Sequence, residues 1–366
     1  MALSAGSECL GYGDYEIFVA DGAYRNFEIT DVGKFRQSFN WDWVLNETSS
    51  ASLTLRYPYD CKLRDAPIWP AYTQLWLRRD GVTVWKGVIT EWTFTGNRQE
   101  GYNQLTLNAS DWSYLLDRRR IDRNVSYTNE LLTTIYKNYL DFVFENGSPS
   151  DINFVINNIG IRGDRLVNQV DFKMVRPEID DLAKAGVDWT VIADTWFVGG
   201  FALGGVNTIL DYEFSEESFL RAPQLRRDAL EYATRIGVRG NNDIRSVYGG
   251  ADPLGIIWDN VIDAQDTIKS QAEADSAAKS KWDRVHIPLA YVDGDGVLNP
   301  KIPIQITDLV PGVEVRNIMT AEGEIFDKVM RLERTKVSVN EEADEEITVV
   351  FQPIGTGSSL GSVADQ

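Results

Sequence analysis

Apolar and polar positions alternate with a period of two through much of the first third of the chain. Phe39, Trp41, Trp43 and Leu45 are spaced by Asn40, Asp42 and Val44, which puts the aromatics on one face of a strand. Leu53, Leu55 and Tyr57 form the next apolar face. Residues 73–79 (TQLWLRR) run into Asp80-Gly81, and 82–94 (VTVWKGVITEWTF) run out. Asp-Gly tolerates the positive φ angles of a two-residue type I′ turn, so this stretch predicts a hairpin. On its second arm Val82, Val84, Val88, Thr90, Trp92 and Phe94 are expected to share one face, and Trp41, Trp43 and Trp92 to point into the core. After a polar loop at 96–101, Leu105 and Leu107 mark another strand. Many strands joined by short loops predict a sandwich or small barrel over about residues 1–118.

The period changes after Arg118-Arg119-Arg120. Leu131, Leu132, Ile135, Tyr136, Tyr139, Leu140 and Val143 follow helical spacing and predict an amphipathic helix over 129–145, stopped by Gly147 and Pro149. A shorter helix is expected from Pro177 in its first turn, acids Glu178, Asp180 and Asp181 at its positive end, and Gly186 just past its last turn. Strands are expected around 189–198 and 207–214, and again at Tyr232, Thr234, Ile236 and Val238. Residues 263–283, rich in Ala, Gln and Lys, predict a helix with poor apolar spacing. DGDGVLNPKIP, from Asp293, reads as a loop. A long strand carries Met330, Leu332, Val337 and Val339. The acidic turn 340–346 (NEEADEE) leads to Ile347, Val349 and Phe351, and 353–366 read as a mobile tail. There is no internal repeat of 20–50 residues.

Composition narrows the chemistry. At roughly 150 residues per domain, 366 residues predict two or three domains. The formal charge of −19, from 36 basic and 55 acidic residues, argues against non-specific DNA binding, which needs clustered cations. It argues equally against anionic membrane surfaces. No apolar run approaches a membrane helix, and the N-terminus lacks the pattern of a signal peptide. The chain is therefore expected to be cytoplasmic or to leave the cell by another route.

One His (His286) and two Cys (Cys9, Cys61) exclude multi-His metal sites and Cys-rich zinc sites. The two thiols are expected to be reduced. His286 is the only imidazole base for a Ser or Cys nucleophile, no GxSxG elbow is present, and a packing role is the simpler reading. Counted from Asp293, a calcium loop would need an oxygen ligand, Gly and Glu where Val297, Leu298 and Ile304 stand. Gly355–Gly361 is glycine-rich without the spacing or Lys of a phosphate loop. Paired carboxylates for glycoside hydrolysis need only proximity, so the sequence names none. The cluster Arg118, Arg119, Arg120 and Arg123 is expected to meet an acidic protein neighbour, including another copy of the chain, rather than nucleic acid. No catalytic, cofactor-binding or metal residue is assigned.

The order of these patterns resembles the tail-tip hub (baseplate hub, or minor tail) proteins of long-tailed bacteriophages, related to the hubs of contractile tails. The resemblance rests on SLTLRYPYD with its loop to WP, and on LWLRRDGVTVWKGVITEW. It continues through LTLNASDWSYLLDRRR, the Pro177 helix running into Gly186-Val187-Asp188-Trp189, and IPIQITDLVPGVEVRN. RLERTKVSVN ahead of EEITVVFQP closes the series, so roughly 10–352 is covered. It implies an α+β, mainly β fold: two tail-tube-like antiparallel β-barrels with a smaller α/β insertion. The expected division is a first barrel over 1–118 and a mixed α/β region over 119–235. An α/β insertion with the closing strands of the second barrel follows over 236–352, then the tail 353–366.

The resemblance further implies a homotrimer in the virion, made in the host cytoplasm. Its partners would be the distal tail protein, tail tube, tape measure protein and other tail-tip or receptor-binding proteins. DNA would pass through its lumen without specific binding, and the acidic charge suits such a lumen. Relatives often continue into a peptidase, lysozyme-like or receptor-binding extension that this chain does not show, so no lytic activity is carried over. A wall glycosidase and a carbohydrate-binding adhesion module are the competing expectations.

Overall fold

The structure is a computed structural model that describes residues 9–21, 29–64, 67–144, 152–158, 160–199, 209–229, 232–241, 243–263, 271–286, 289–321 and 324–353. The chain divides into two compact units. One holds 1–223, 294–320 and 327–366, and the other holds 224–293 and 321–326.

The first unit begins with seven strands: β1 (Tyr15–Asp21), β2 (Ile29–Asp31), β3 (Arg36–Val44), β4 (Ser50–Pro58), β5 (Thr73–Arg79), β6 (Val82–Asn97) and β7 (Tyr102–Asp111). They pair antiparallel in the order β2-β1-β5-β6-β7-β4-β3. Along β4 and β7 burial alternates residue by residue, as the sequence pattern requires. The β5–β6 turn forms as expected, with positive φ at both Asp80 (53°) and Gly81 (77°).

An α/β layer follows, made of β8 (Val125–Leu131), α1 (Leu132–Phe144), β9 (Asn153–Ile156), β10 (Arg162–Val167), α2 (Val175–Lys184), β11 (Trp189–Ile192) and β12 (Thr195–Val198). The helix expected from residue 129 starts at Leu132. Residues 125–131 are instead held as a strand by β10, with Asn129 at positive φ and its N–H on Asp164. Ile135, Tyr136, Tyr139 and Leu140 are buried among Ile179, Leu182, Trp189 and Trp196. Pro177 sits in the first turn of α2, where no N–H is needed. Gly186 (φ 98°) ends that helix: its N–H reaches Ala183 and the N–H of Val187 reaches Leu182.

Two strands, β13 (Ile209–Phe214) and β14 (Phe219–Arg221), complete this part. The second unit then carries β15 (Gln224–Asp228), β16 (Arg235–Arg239), β17 (Arg245–Gly249), β18 (Asp259–Asp263), α3 (Gln271–Val285) and β19 (Leu289–Asp293). β16 lies between β17 and β18, and α3 packs on this sheet through Ala274, Ala278 and Val285. The core face of α3 is largely alanine, which explains its weak apolar spacing. β15 pairs with β19.

The chain re-enters the first unit at β20 (Gly296–Leu298), then β21 (Glu314–Ala321), β22 (Glu324–Val339) and β23 (Glu345–Pro353). The stretch expected to be a loop from Asp293 thus contains a fully buried strand, β20, paired with β23 and β14. Three short apolar residues after a Gly-Asp pair are too few to show periodicity.

β22 pairs with β3, so the main sheet runs β14-β20-β23-β22-β3-β4-β7-β6-β5-β1-β2. The fold is mainly β, as expected. Among the described residues this ladder does not close into a barrel. It curls instead, and side chains tie strands far apart in the order. The Trp43 indole on β3 donates to the Val84 carbonyl on β6 at 2.8 Å. Arg79 on β5 forms two hydrogen bonds to Glu345 on β23, each at 3.0 Å. Among the described residues no helix is long and apolar enough to cross a membrane.

Candidate functional site

The main sheet has two chemically distinct faces, and the register shows which residues make each. Phe39, Leu53 and Leu107 lie opposite one another across β3, β4 and β7, as do Trp41, Ala51 and Ala109. These residues are buried.

The alternate positions point the other way. Ser338, Asn40, Ser52 and Asn108 form one cross-strand row over β22, β3, β4 and β7, and Thr54, Thr106 and Thr93 form another over β4, β7 and β6. This face is solvent-accessible and built mostly of hydroxyls and amides. Ser52 donates to Asn108 at 2.9 Å, and the Thr54 and Thr106 hydroxyls lie 3.4 Å apart. Lys336 of β22, opposite Asp42, is exposed on this face, and other charges on it are engaged. Arg56 stacks over Tyr102 at 3.7 Å, and Glu91 accepts from Asn108 at 3.4 Å. Asp42 accepts the Ser50 N–H at 2.6 Å. Burial pushes the Asp42 carboxyl above its ordinary range, against the pull of Ser50 and Arg334. On β3, β4, β6 and β7 the acids of this face are Asp42 and Glu91 only.

The apolar face is covered at one end and open at the other. At the covered end, Tyr15 packs edge-on against Phe39 at 4.8 Å, and its hydroxyl donates to Glu345 at 2.5 Å. Glu345 also accepts the Gly13 N–H at 2.8 Å, and Arg79 donates to the Leu10 carbonyl at 2.9 Å. A Cβ at Gly13 would lie 2.2 Å from the Arg79 side chain, so only glycine lets the segment pass there. Burial and the Glu345 carboxylate together push the Tyr15 hydroxyl well up.

At the open end, β6 bulges between Ile89 and Glu91. The extra residue moves Trp92 and Phe94 onto the face of Ile89, opposite Leu107 and Leu105. Val84 and Val88 therefore do not share a face with Trp92 and Phe94. The expectation that Trp92 faces the core fails too, whereas Trp41 and Trp43 are buried. Trp92 and Phe94 border an open cleft of about 390 Å³ with Tyr57, Leu63, Ile68 and Leu105.

The other sequence candidates are dispersed. The four arginines turn to their own chain. Arg118 lies over Tyr114 at 4.8 Å, Arg120 over Phe172 at 5.0 Å and Arg123 over Phe142 at 4.4 Å, while Arg119 donates to the Phe142 carbonyl. His286 stacks on Trp282 at 3.9 Å, with Nδ1 2.8 Å from the Trp282 carbonyl oxygen. Asp293 ends β19, and Gly294 turns with φ 80° into β20. Among the described residues no three His, Cys, Asp or Glu side chains converge as a metal site. A cleft of about 690 Å³ beside α1 has a single carboxylate in its lining, Asp141, which already pairs with Lys137 at 2.7 Å. No disulfide joins Cys9 and Cys61. Gly355–Gly361 lies outside the described residues. Sequence reasoning missed Glu345, hidden in an acidic run, and the polar face, whose signal was the other half of the same alternation.

No protein-family model matches the chain, and no curated protein matches it. Solved structures do. The tail protein from Neisseria meningitidis MC58 superposes with a TM-score of 0.62 at 14% identity, covering 94% of this chain and 98% of that one. The 43 kDa tail protein of prophage MuSo2 from Shewanella oneidensis gives 0.63 at 14% identity, covering 92% and 98%. A type VI secretion component from E. coli, itself described as similar to the bacteriophage T4 tail proteins gp27 and gp5, gives 0.50 at 12% identity, covering 88% and 74%. The chain therefore has, over nearly its whole length, the fold of phage tail and baseplate-hub-like proteins.

Proposed function

We propose that this chain is a structural, non-enzymatic component of a phage tail, and within it the homotrimeric hub of the tail tip. The observation that carries this reading is the shared fold with phage tail proteins over more than nine-tenths of both chains. In this reading β1–β7 form one tube-like β element, and β13, β14 and β20–β23 form the second. Three copies supply six such elements, which matches a sixfold tail tube and distal tail protein to a threefold tip. The interposed α/β segments decorate them.

The polar sheet face then lines part of the channel for tape measure protein and DNA. A polyanion is retained by clustered Lys and Arg, and a wall built mostly of Ser, Thr and Asn, with its few cations dispersed, gives it little to hold. The chain's acids are not needed on that wall.

Imaging of the purified protein, alone and mixed with tail tube and distal tail protein, tests the assembly. A threefold ring is expected. A monomer that enters no ring in either condition would sink the reading. For the channel, Ser52→Lys with Thr106→Lys in assembled tails should slow DNA ejection while leaving tail assembly normal. Unchanged ejection would remove this face from the channel.

A further inference from the structure

The outer half of β6 has an open backbone edge. β5 pairs with β6 only over Val82–Val88, whereas β7 pairs with it as far as Asn97. Among the described residues no strand lies along that edge beyond Ile89, whose carbonyl accepts the Ala71 N–H at 2.8 Å. The register shows which groups the edge presents. The Tyr59 N–H donates to the Gly101 carbonyl, and the Asp111 N–H to the Ser49 carbonyl, each at 3.0 Å. Odd-numbered residues of β7 therefore direct their backbone groups at β4, and even-numbered ones at β6. Opposite those even residues stand Glu91, Thr93, Thr95 and Asn97. Trp92, Phe94 and Gly96 point their N–H and C=O groups the other way, toward the open edge.

Native edges are guarded by charges, prolines or a covering element. From Trp92 to Gly96 there is no charge and no proline, and every residue is exposed. The bulge at Thr90 precedes this stretch and leaves it unbroken. Five residues of strand are about 17 Å long, which matches one short segment.

Side chains give the edge a pocket. Trp92 and Phe94 form one wall of the open cleft of about 390 Å³, and Leu63, Pro67 and Ile68 of the β4–β5 loop form another. Trp69 and Tyr72 of that loop, 55% and 70% exposed, flank the Ala71 tie to Ile89. A strand laid beside Trp92–Gly96 continues the line of β5 and sets every second side chain on the cleft side of the sheet. In strand addition, main-chain bonds supply affinity and pockets for alternate side chains supply selectivity.

Charge does not select the occupant. Asp60 and Lys62, in the loop that walls the cleft, are both exposed, and Arg64 pairs with Asp21 at 2.8 Å. Arg98 and Glu100 share the β6–β7 turn. Among the described residues these cations and acids cancel. The complement of this edge is an uncharged extended backbone with apolar side chains at alternate positions.

We infer that the outer edge of β6 docks such a segment of a partner protein, which adds to the sheet as a strand and sets an apolar side chain in the cleft. The inference stands on the edge and the cleft and does not depend on the hub reading. To test it, full-length wild type selects from a display library of random peptides of about nine residues, long enough to span the edge. Enriched peptides are labelled and titrated against wild type and Trp92→Ala, with thermal melts alongside. They are expected to alternate apolar and polar residues, to bind Trp92→Ala about tenfold or more weakly, and to bind alike at low and high salt. N-methylation of one alternate set of peptide amides should abolish binding, and of the other set should spare it, because only one set faces β6. That comparison needs wild type alone, so it decides the matter even if Trp92→Ala does not fold. Failure to enrich any peptide, or equal binding to a folded Trp92→Ala, overturns the proposal. Binding indifferent to N-methylation also overturns it, and leaves an apolar pocket without strand pairing. If wild type self-associates in sedimentation and Trp92→Ala does not, a second copy fills the edge, and docking of a partner segment is overturned.

Discussion

Strands β3 and β6 carry the same alternation of aromatics in sequence. On β3, Trp41 and Trp43 are 0% and 1% exposed, whereas on β6 Trp92 and Phe94 are 44% and 49% exposed. All four lie on one face of one sheet. The difference is in what covers them. Over β3 lie the segment around residues 10–15, pinned by Arg79 and Glu345, and the first half of β6, whose Val84 carbonyl accepts from the Trp43 indole at 2.8 Å. The outer half of β6 extends past that cover. Alternation says which residues share a face; the rest of the chain decides whether the face is core.

The largest effect follows at the covered end. Trp41→Ala should cost about 3–5 kcal/mol, as expected when a fully buried indole leaves a cavity. Urea unfolding measures it. A loss under about 1 kcal/mol would show that the β3 end is as open as β6.

Glu345→Gln removes the pin rather than the core. Arg79 and Glu345 side chains are 5% and 2% exposed, and breaking a buried pair leaves its partner charge without compensation. The expected cost is about 3 kcal/mol. Hydrogen exchange should rise first across residues 10–15, making the β3 end resemble the β6 end. Unchanged protection there would mean that the ion pair does not hold the cover.

How much of this was legible in sequence differs residue by residue. The alternation of β4 and β7, the Asp80-Gly81 turn and the ends of α2 are local features with local causes, and they form as read. The bulge at Thr90 is not local: it depends on registry with β7, and it reverses the facing of Trp92. Glu345 looked like one more acid in a solvated turn, because its partner lies 266 residues away. The pairing of β22 with β3 is equally remote in sequence. The polar face was written in the sequence as plainly as the apolar one, but Ser, Thr and Asn announce no chemistry until the strands that align them are known.

A titration gives a smaller test at the covered end. Asp111, at the end of β7, is fully buried, and burial pushes its carboxyl up to about 6 against the hydrogen bonds from Ser113 and Ser49. Its pKa is higher folded than unfolded, so the native state binds the extra proton. The associated stabilisation is complete below the unfolded value and is lost as pH rises through about 6. Wild type should therefore lose stability relative to Asp111→Asn, by on the order of 2 kcal/mol, between pH 4 and pH 7. A constant difference over that range would mean that the carboxyl is not buried.

The smallest effect belongs to the open end. Trp92→Ala removes a side chain that is already half in water and whose cleft is open to solvent, so little transfer energy is lost and no closed cavity forms. Folding stability should change by about 1 kcal/mol or less. Phe94→Ala should behave alike, because it shares the face that the bulge creates. These two small values, set against Trp41→Ala, measure the cover itself, since the residue type, strand environment and sheet face are otherwise matched. A loss near 3 kcal/mol at Trp92 would show that its face is closed over in solution, and the contrast between the two strands would disappear.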